Sequence, residues 1–262
     1  MLRAFSTAAT GMTAQQMIVD TIANNLANIN TVGFKRSQVD FQDLVYLRLE
    51  EPGREVAAGV QAPTGIEVGS GVRPAATLRV FTQGELQNTA RELDVAIQGD
   101  GFFRVQLPSG DIRYTRDGAF RINSNGLLCT ANGYIVDPGI TLPQDARSVA
   151  IGADGTVTVF AGTTNTAISV GQLTLVRFQN PSGLLAEGGN LLAPTPASGP
   201  EITGTASENG FGSIQAGFLE KSNVQMVTEL VNLITAQRAY EINSRAIRAG
   251  DEMLTTANRL IS

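Results

Sequence analysis

The chain has 262 residues, 42% of them hydrophobic and 16% charged, ordinary values for a sequence that folds around a buried core. Nineteen basic residues against 24 acidic ones leave a net charge of −5, and no run of Lys or Arg supplies the field that phosphate binding needs, which argues against nucleic acid as a partner. Histidine is absent and Cys129 is the only cysteine, so Ser/His/Asp catalysis, His-ligated zinc and an intramolecular disulfide are excluded.

The first five residues, Met1-Leu2-Arg3-Ala4-Phe5, lack a basic stretch followed by an unbroken apolar run and a small-residue cleavage site. No window approaches eighteen apolar residues, so neither a conventional cleaved signal nor membrane insertion is expected. The first thirty residues read as a helix. Phe5, Met12, Val19 and Leu26 recur every seven positions, and Ala8, Gln15, Ile22 and Ile29 follow each by three, which is a coiled-coil seam with one polar exception. Gly11 weakens this helix by about 1 kcal/mol relative to alanine. Only Arg3 and Asp20 are charged before residue 35, so the outer face is also expected to be covered, and packing between subunits is favoured over a simple intramolecular hairpin.

The segment "ANNLANINTVGFKR", Ala23–Arg36, closes the helix. Asn24, Asn25, Asn28 and Asn30 offer side-chain amides to neighbouring backbone, Gly33 fits a C-terminal breaker, and Phe34 with Lys35-Arg36 begins a connector. This stretch is read as a hinge.

Residues 71 to about 213 carry short β-branched runs separated by Ser109-Gly110, Asp117-Gly118, Asn125-Gly126, Asn132-Gly133 and Asp154-Gly155, the pattern of an antiparallel β domain. Two looser pieces flank this domain, either of which alone reads as disordered: Glu50–Pro74, rich in Gly, Pro and Val, and Ala186–Gly212, which reads as loop with little regular structure. The C-terminal region repeats the helical pattern: Met226, Leu233, Tyr240, Ile247, Leu254 and Ile261 are spaced by seven, and Ala236, Asn243, Gly250 and Ala257 lie three after the inner four. No proline interrupts Ser222–Ile261, which predicts a helix of about forty residues, roughly 60 Å long. The fold class expected is α+β: terminal helices (1–30 and 221–262) forming a coiled-coil domain, a connector (31–70 and 214–220), and a central, mostly antiparallel β domain (71–213).

Catalytic candidates are few. Asp94, Asp100, Asp111 and Asp117 sit at strand and turn positions and form no EF-hand loop; Gly99-Asp100-Gly101 lacks the rest of a phosphate-binding pattern. Cys129 has no histidine to activate it and reads as a small buried hydrophobe, while Lys35 and Lys221, the only lysines, sit in no Ser-x-x-Lys motif. No cofactor or metal is expected, nor an enzyme.

Three strings carry a family resemblance: "ANNLANINTVGFKRSQVDFQDL" (Ala23–Leu44), "TQGELQNTARELDVAIQGDGFFRV" (Thr82–Val105) and "VNLITAQRAYEINSRAIRAGDEMLTTANRL" (Val231–Leu260). Together they resemble the rod and hook axial proteins of the bacterial flagellar basal body, nearest the distal rod branch, over essentially the whole chain. The resemblance implies a structural subunit that polymerises with itself into a hollow drive shaft. It further implies proximal rod and hook-side axial proteins, the ring bushing and the type III export apparatus as partners, a location in the basal body, and export without signal cleavage. Tyr46–Gly71 resembles the stretch associated with a straight, rigid distal rod. The alternatives are a proximal rod or hook-like subunit and, from another class, a secreted β-rich binding module. On the resemblance, the inter-subunit helix seam is Phe5, Met12, Val19, Leu26, Leu233, Tyr240, Ile247 and Leu254. Helices whose stripes face absent partners cannot offset their ordering entropy, so folding of the termini is expected to be coupled to assembly.

Overall fold

The computed structural model describes residues 2–57, 60–61, 63–143, 145–161 and 166–261. The chain is α+β, with one long helix near each end and antiparallel strands between them, and it divides into two compact units. The first comprises residues 1–26, 37–78 and 225–262; the second comprises 27–36 and 79–224.

In the first unit, helix α1 (Leu2–Ala27) and helix α2 (Met226–Ile261) follow the periodicity of their sequences. At 36 residues α2 is about 54 Å long. The helices are antiparallel where they touch. A side chain at Gly250 would strike the Phe5 ring, 2.7 Å away, and one at Gly11 would strike the Asn243 amide at 2.9 Å, so both glycines permit the close approach. Thr10, Thr13 and Thr21 return their hydroxyls to carbonyls of the preceding turn, which satisfies them without water.

Between the helices the chain makes a nested ribbon. Ser37–Asp43 pairs with Val72–Arg79, Leu47–Glu50 with Ile66–Val68, and Glu55–Ala57 with Val60–Gln61. The Glu50–Pro74 piece, expected to be loose, contributes paired strand at residues 50, 55–57, 60–61, 66–68 and 72–74, where its β-branched residues find partners across the ribbon. Thr10 of α1 lies against the ribbon base, where its hydroxyl accepts from the Val72 amide at 3.4 Å. Asn25 locks the first strand in place, donating to the Ser37 carbonyl and accepting from the Ser37 amide, each at 2.8 Å.

The second unit is built on a nine-stranded sheet and a three-stranded one. Its central strand, Phe102–Gln106, pairs with Ile112–Thr115 on one side and with Ile135–Val136 and Thr174–Arg177 on the other. Both faces of that strand are covered. Phe103 and Val105 enter a core with Phe120, Leu128, Leu175 and Ile214, while Phe102 enters a smaller core with Tyr114, Val176 and Phe178. Alternation at period two sends neighbours to opposite cores. Ser109-Gly110, Asn125-Gly126, Asn132-Gly133 and Asp154-Gly155 make turns between paired strands as expected. Asp117-Gly118 does something else: a Cβ on Gly118 would collide with the Val95 carbonyl, so this glycine allows a close backbone crossing.

Ala186–Gly212 is also more ordered than its composition implied. Leu185–Gly188, Leu191–Ala193 and Ile202–Thr205 all join the large sheet, and Ser198 and Ala206 are fully buried. Entry and exit run side by side, with Leu86–Asn88 against Phe218–Glu220 and Val95–Gln98 against Ser213–Ala216.

Cys129 lies on a two-residue strand, 4% exposed, and burial pushes its thiol above the ordinary pKa despite the opposing pull of Arg121. Alkylation by iodoacetamide at pH 8 is therefore expected only through opening of the second unit, and its rate in a urea series should follow the unfolded fraction seen by far-UV circular dichroism. Fast labelling of the native chain would contradict this placement.

Candidate functional site

The structure presents two features bearing on function: the faces of the helix pair in the first unit, and a buried ionic cluster in the second. Along α2 the most covered positions are Glu229, Leu233, Ala236, Ala239, Asn243, Ser244, Ile247, Gly250 and Leu254. This stripe contains the predicted Leu233, Ile247 and Leu254, half-buried, with Tyr240 at its edge and 41% exposed. On α1, Phe5, Met12, Val19 and Leu26 are half-buried, while the most buried positions are Ala14, Ile22 and Asn25. The predicted seam therefore occupies one flank of a broader covered arc. Val19 and Tyr240, with Gln16, Gln237 and Glu241, line a groove of about 520 Å³ between the helices.

A second stripe was not anticipated. Val227, Leu230, Val231 and Ile234 stand at i, i+3, i+4 and i+7 and are 75, 40, 56 and 50% exposed. At 100° per residue they centre on the face opposite the covered one. The ribbon adds Val45, Tyr46, Leu47, Leu49, Ile66 and Val68. Among the described residues, sixteen of the twenty exposed large hydrophobics belong to the first unit, whereas both buried cores lie wholly in the second. An apolar surface of that extent marks an interaction face.

The hinge residues divide between the units. Asn24 is exposed, Asn25 is buried in its exchange with Ser37, and Asn28, whose carbonyl accepts from Thr31, is half-buried. Gly33 lies six residues beyond the end of α1 and is not its terminator. It adopts φ +67°, its amide donates to the Glu220 carbonyl at 2.7 Å, and a Cβ there would stand 2.7 Å from the Arg116 backbone. Phe34 is half-buried beside it, lining a small cavity with Lys35, Arg79, Phe81 and Arg116.

Lys35 carries a role its sequence context did not reveal. Its ammonium donates to Glu220 Oε1 at 2.6 Å and to the Thr82 carbonyl at 2.7 Å. Glu220 Oε2 accepts from Arg116 Nε at 2.9 Å, and Oε1 also accepts from the Gly84 amide at 2.9 Å. The rest of the Arg116 fork reaches the Gly101 and Gly99 carbonyls. The side chains of Lys35, Arg116 and Glu220 are 2, 6 and 0% exposed. Burial lowers the Lys35 pKa, the Glu220 charge and hydrogen bond oppose that shift, and Arg116 adds to it. Asn223 completes the arrangement: its Oδ1 accepts from the Arg36 amide, and its Nδ2 donates to Val80 and Thr82. Residues 33–36, 80–84 and 220–223 are thereby tied together.

The other candidates have structural settings. Asp111 sits in a turn accepting from Ser109, and Asp117 caps its own turn at Ala119 and accepts from Asn190. Asp94 is 1% exposed with Arg91 3.7 Å from its carboxylate, and Asp100 lends its carbonyl to the Gly212 amide. Among the described residues no three His, Cys, Asp or Glu side chains gather as metal ligands, and no helix is long and apolar enough to cross a membrane.

Removing one member of a buried ion cluster strands the rest, at a cost of about 3–5 kcal/mol. Lys35→Met is expected to lower the urea-unfolding free energy of the second unit by about 3 kcal/mol, against about 1 kcal/mol or less for Arg113→Gln, which breaks the more exposed pair with Glu187. Equal effects would show that the cluster contributes no more than a surface pair. Gly33→Ala and Gly110→Ala share a positive φ, but only Gly33 faces backbone where the new methyl would go. Gly110→Ala should cost about 1 kcal/mol and Gly33→Ala at least about twice that in the same measurement.

Comparison with known proteins gives three family matches in chain order: flagella basal body rod protein at residues 5–35, flagellar hook protein FlgE/F/G D1 domain at 96–159, and flagellar basal body rod FlgEFG protein C-terminal at 215–260. The chain is 48% identical to the flagellar basal-body rod protein FlgG of Borreliella burgdorferi over 262 residues, covering 99% of each. It is 46% identical to that of Buchnera aphidicola subsp. Schizaphis graminum over 96% of each chain, and 45% identical to that of Caulobacter vibrioides over the full length of both. Matches at both ends and in the middle, with relatives aligned from end to end, lead to one assignment: the chain belongs to the family of flagellar basal-body rod proteins.

Proposed function

We propose that this chain is a structural, non-catalytic subunit of the distal rod of the bacterial flagellar basal body, polymerising into a rigid hollow drive shaft that transmits torque to the hook and lines the export channel. The observation that carries the reading is the second apolar stripe of α2, Val227-Leu230-Val231-Ile234, which faces away from the stripe covered within the chain. A helix apolar on two opposite faces is suited to burial from both sides. Two different faces also make a heterologous, head-to-tail contact, the kind that grows into a helical polymer when the rotation does not close.

In this reading Phe5, Met12, Val19, Leu26, Leu233, Tyr240, Ile247 and Leu254 form the coiled-coil seam of the inner tube, within and between subunits. Asn24, Asn25, Asn28, Gly33 and Phe34 form the connector to the β body. The stretch Tyr46–Gly71 stiffens the shaft, its exposed Tyr46, Leu47, Leu49, Ile66 and Val68 meeting neighbouring subunits. Partners are further copies of the chain, proximal rod and hook-side axial proteins, the ring bushing, and the type III export apparatus that delivers the subunit without signal cleavage. A proximal rod or hook-like subunit is the second reading, because the match at residues 96–159 describes hook proteins as well.

Val231→Asp and Ile234→Asp change exposed positions and should alter monomer stability by no more than about 0.5 kcal/mol. Each places a charge in the proposed contact, so polymerisation followed by sedimentation and electron microscopy should be abolished, and cells carrying either variant should be non-motile. Normal polymers from both variants would refute the assigned face.

A further inference from the structure

The chain contains three Asn-Gly pairs, Asn125-Gly126, Asn132-Gly133 and Asn209-Gly210, all with exposed asparagines. Asn-Gly is the dipeptide in which an asparagine side chain is least shielded from the backbone amide that follows it, because glycine has no side chain to obstruct the approach. The structure separates the three by what that amide is doing. Gly126 donates its N–H to the Asn123 carbonyl at 3.0 Å, and Gly133 donates to the Thr130 carbonyl at 2.9 Å; each glycine is the last residue of its turn. At Asn209-Gly210 the frame is shifted by one. The Phe211 amide closes the turn onto the Glu208 carbonyl at 2.8 Å, which puts Asn209 (φ 50°) and Gly210 (φ 79°) at the two centre positions, as a type I′ turn requires. Among the described residues the Gly210 N–H has no acceptor, and the loop around it, Ser207–Gly210, is exposed.

A cation stands over this peptide unit. Arg177, whose guanidinium lies 5.4 Å from the centre of the Phe211 ring, donates from Nη1 to the Asn209 carbonyl at 3.3 Å and to the Gly210 carbonyl at 2.9 Å. The Asn209 carbonyl and the Gly210 N–H belong to one amide. A charged donor on its oxygen withdraws electron density from its nitrogen and makes the N–H more acidic.

We propose that Asn209 is a site of spontaneous deamidation, promoted by Arg177, whereas Asn125 and Asn132 are protected by their turns. The Gly210 amide gives its proton to water or hydroxide, and its nitrogen bonds to Asn209 Cγ. The Cγ–Nδ2 bond then breaks, and Nδ2 leaves as ammonia after taking up a proton. Water opens the resulting cyclic imide at either carbonyl, producing aspartate or isoaspartate. Net consumption is one water and net release one ammonia, and the chain gains one negative charge. The turn must open for the nitrogen to reach Cγ, so the native rate lies below that of an unfolded chain, yet no hydrogen bond to the attacking amide has to be broken first. Arg177 acts on the reacting amide directly, through the bond to its oxygen.

The test is incubation of the full-length protein at pH 8 and 37 °C, followed by peptide mapping that resolves the one-dalton gain and the aspartate and isoaspartate products at each site. Each turn, the Asn209 turn with its Phe211–Glu208 bond included, must open, so in the native chain conversion at Asn209 should exceed that at Asn125 and Asn132 by about threefold, the share supplied by the Arg177 charge on the reacting amide. In concentrated urea the three rates should converge to within about twofold, because the turns that distinguish them are gone. Arg177→Gln should slow Asn209 by about threefold or more while leaving Asn125 unchanged, and Arg177→Lys should fall between, since it keeps the charge but not the fork. Asn125 in the same sample reports folding: if Arg177→Gln opened the unit, Asn125 would accelerate. Equal native rates at the three sites would overturn the proposal, and an undiminished Asn209 rate in Arg177→Gln would remove Arg177 from it.

Discussion

A single carboxylate, Glu220, sets the geometry of the second unit. Its side chain has no exposure, and a charge so placed is tolerable only if its oxygens are occupied by donors. Lys35, Arg116 and the Gly84 amide occupy them. The cations in turn use their remaining donors on the carbonyls of Thr82, Gly99 and Gly101. Well-packed apolar side chains would give comparable stability. What the ionic cluster adds is direction: each bond has a required angle and length, so the segments at 33–36, 82–84 and 220 can meet in one arrangement. Each of those segments lies within about four residues of a point where the chain enters or leaves the unit.

The helices were largely legible because their stripes recur over five or more turns. Leu233, Ala236, Ile247, Gly250 and Leu254 could be placed on one face of α2 by counting alone. Counting sevens keeps only one stripe, however, and Val227, Leu230, Val231 and Ile234 form a second one at the same period on the opposite side. In α1 the count selected Phe5, Met12, Val19 and Leu26, yet Ala14 and Asn25 are buried more deeply. The reason is a second neighbour. The base of the ribbon meets α1 at Thr10, and Ser37 engages Asn25, so burial spreads past the seam.

The ionic cluster was not legible. Lys35 and Glu220 are separated by 185 positions, and neither belongs to any local pattern. A lysine after a helix end reads as an exposed connector residue because most lysines are exposed. The Glu50–Pro74 and Ala186–Gly212 segments misled for a related reason. Their strands are only a few residues long and their turns are rich in Gly and Pro, so local composition resembles loop, while the hydrogen bonds that order them come from partners elsewhere, such as Thr174–Arg177 for Ile202–Thr205.

The distribution of apolar surface divides the chain into a part that completes itself and a part that does not. The second unit holds both cores, and its strands satisfy one another. The first unit keeps most of the exposed large hydrophobics on α2 and on the ribbon, with a single covered stripe between its helices. Burial contributes about 25 cal/mol per Å² of apolar area, and a long helix with one face unpaired forgoes about half of what it could gain, while the entropy cost of ordering its residues is undiminished. Stability of that unit therefore rises with every part of its outer stripe that another surface covers. The β unit, by contrast, holds its cores within itself and, among its described residues, has no such apolar stripe left to cover.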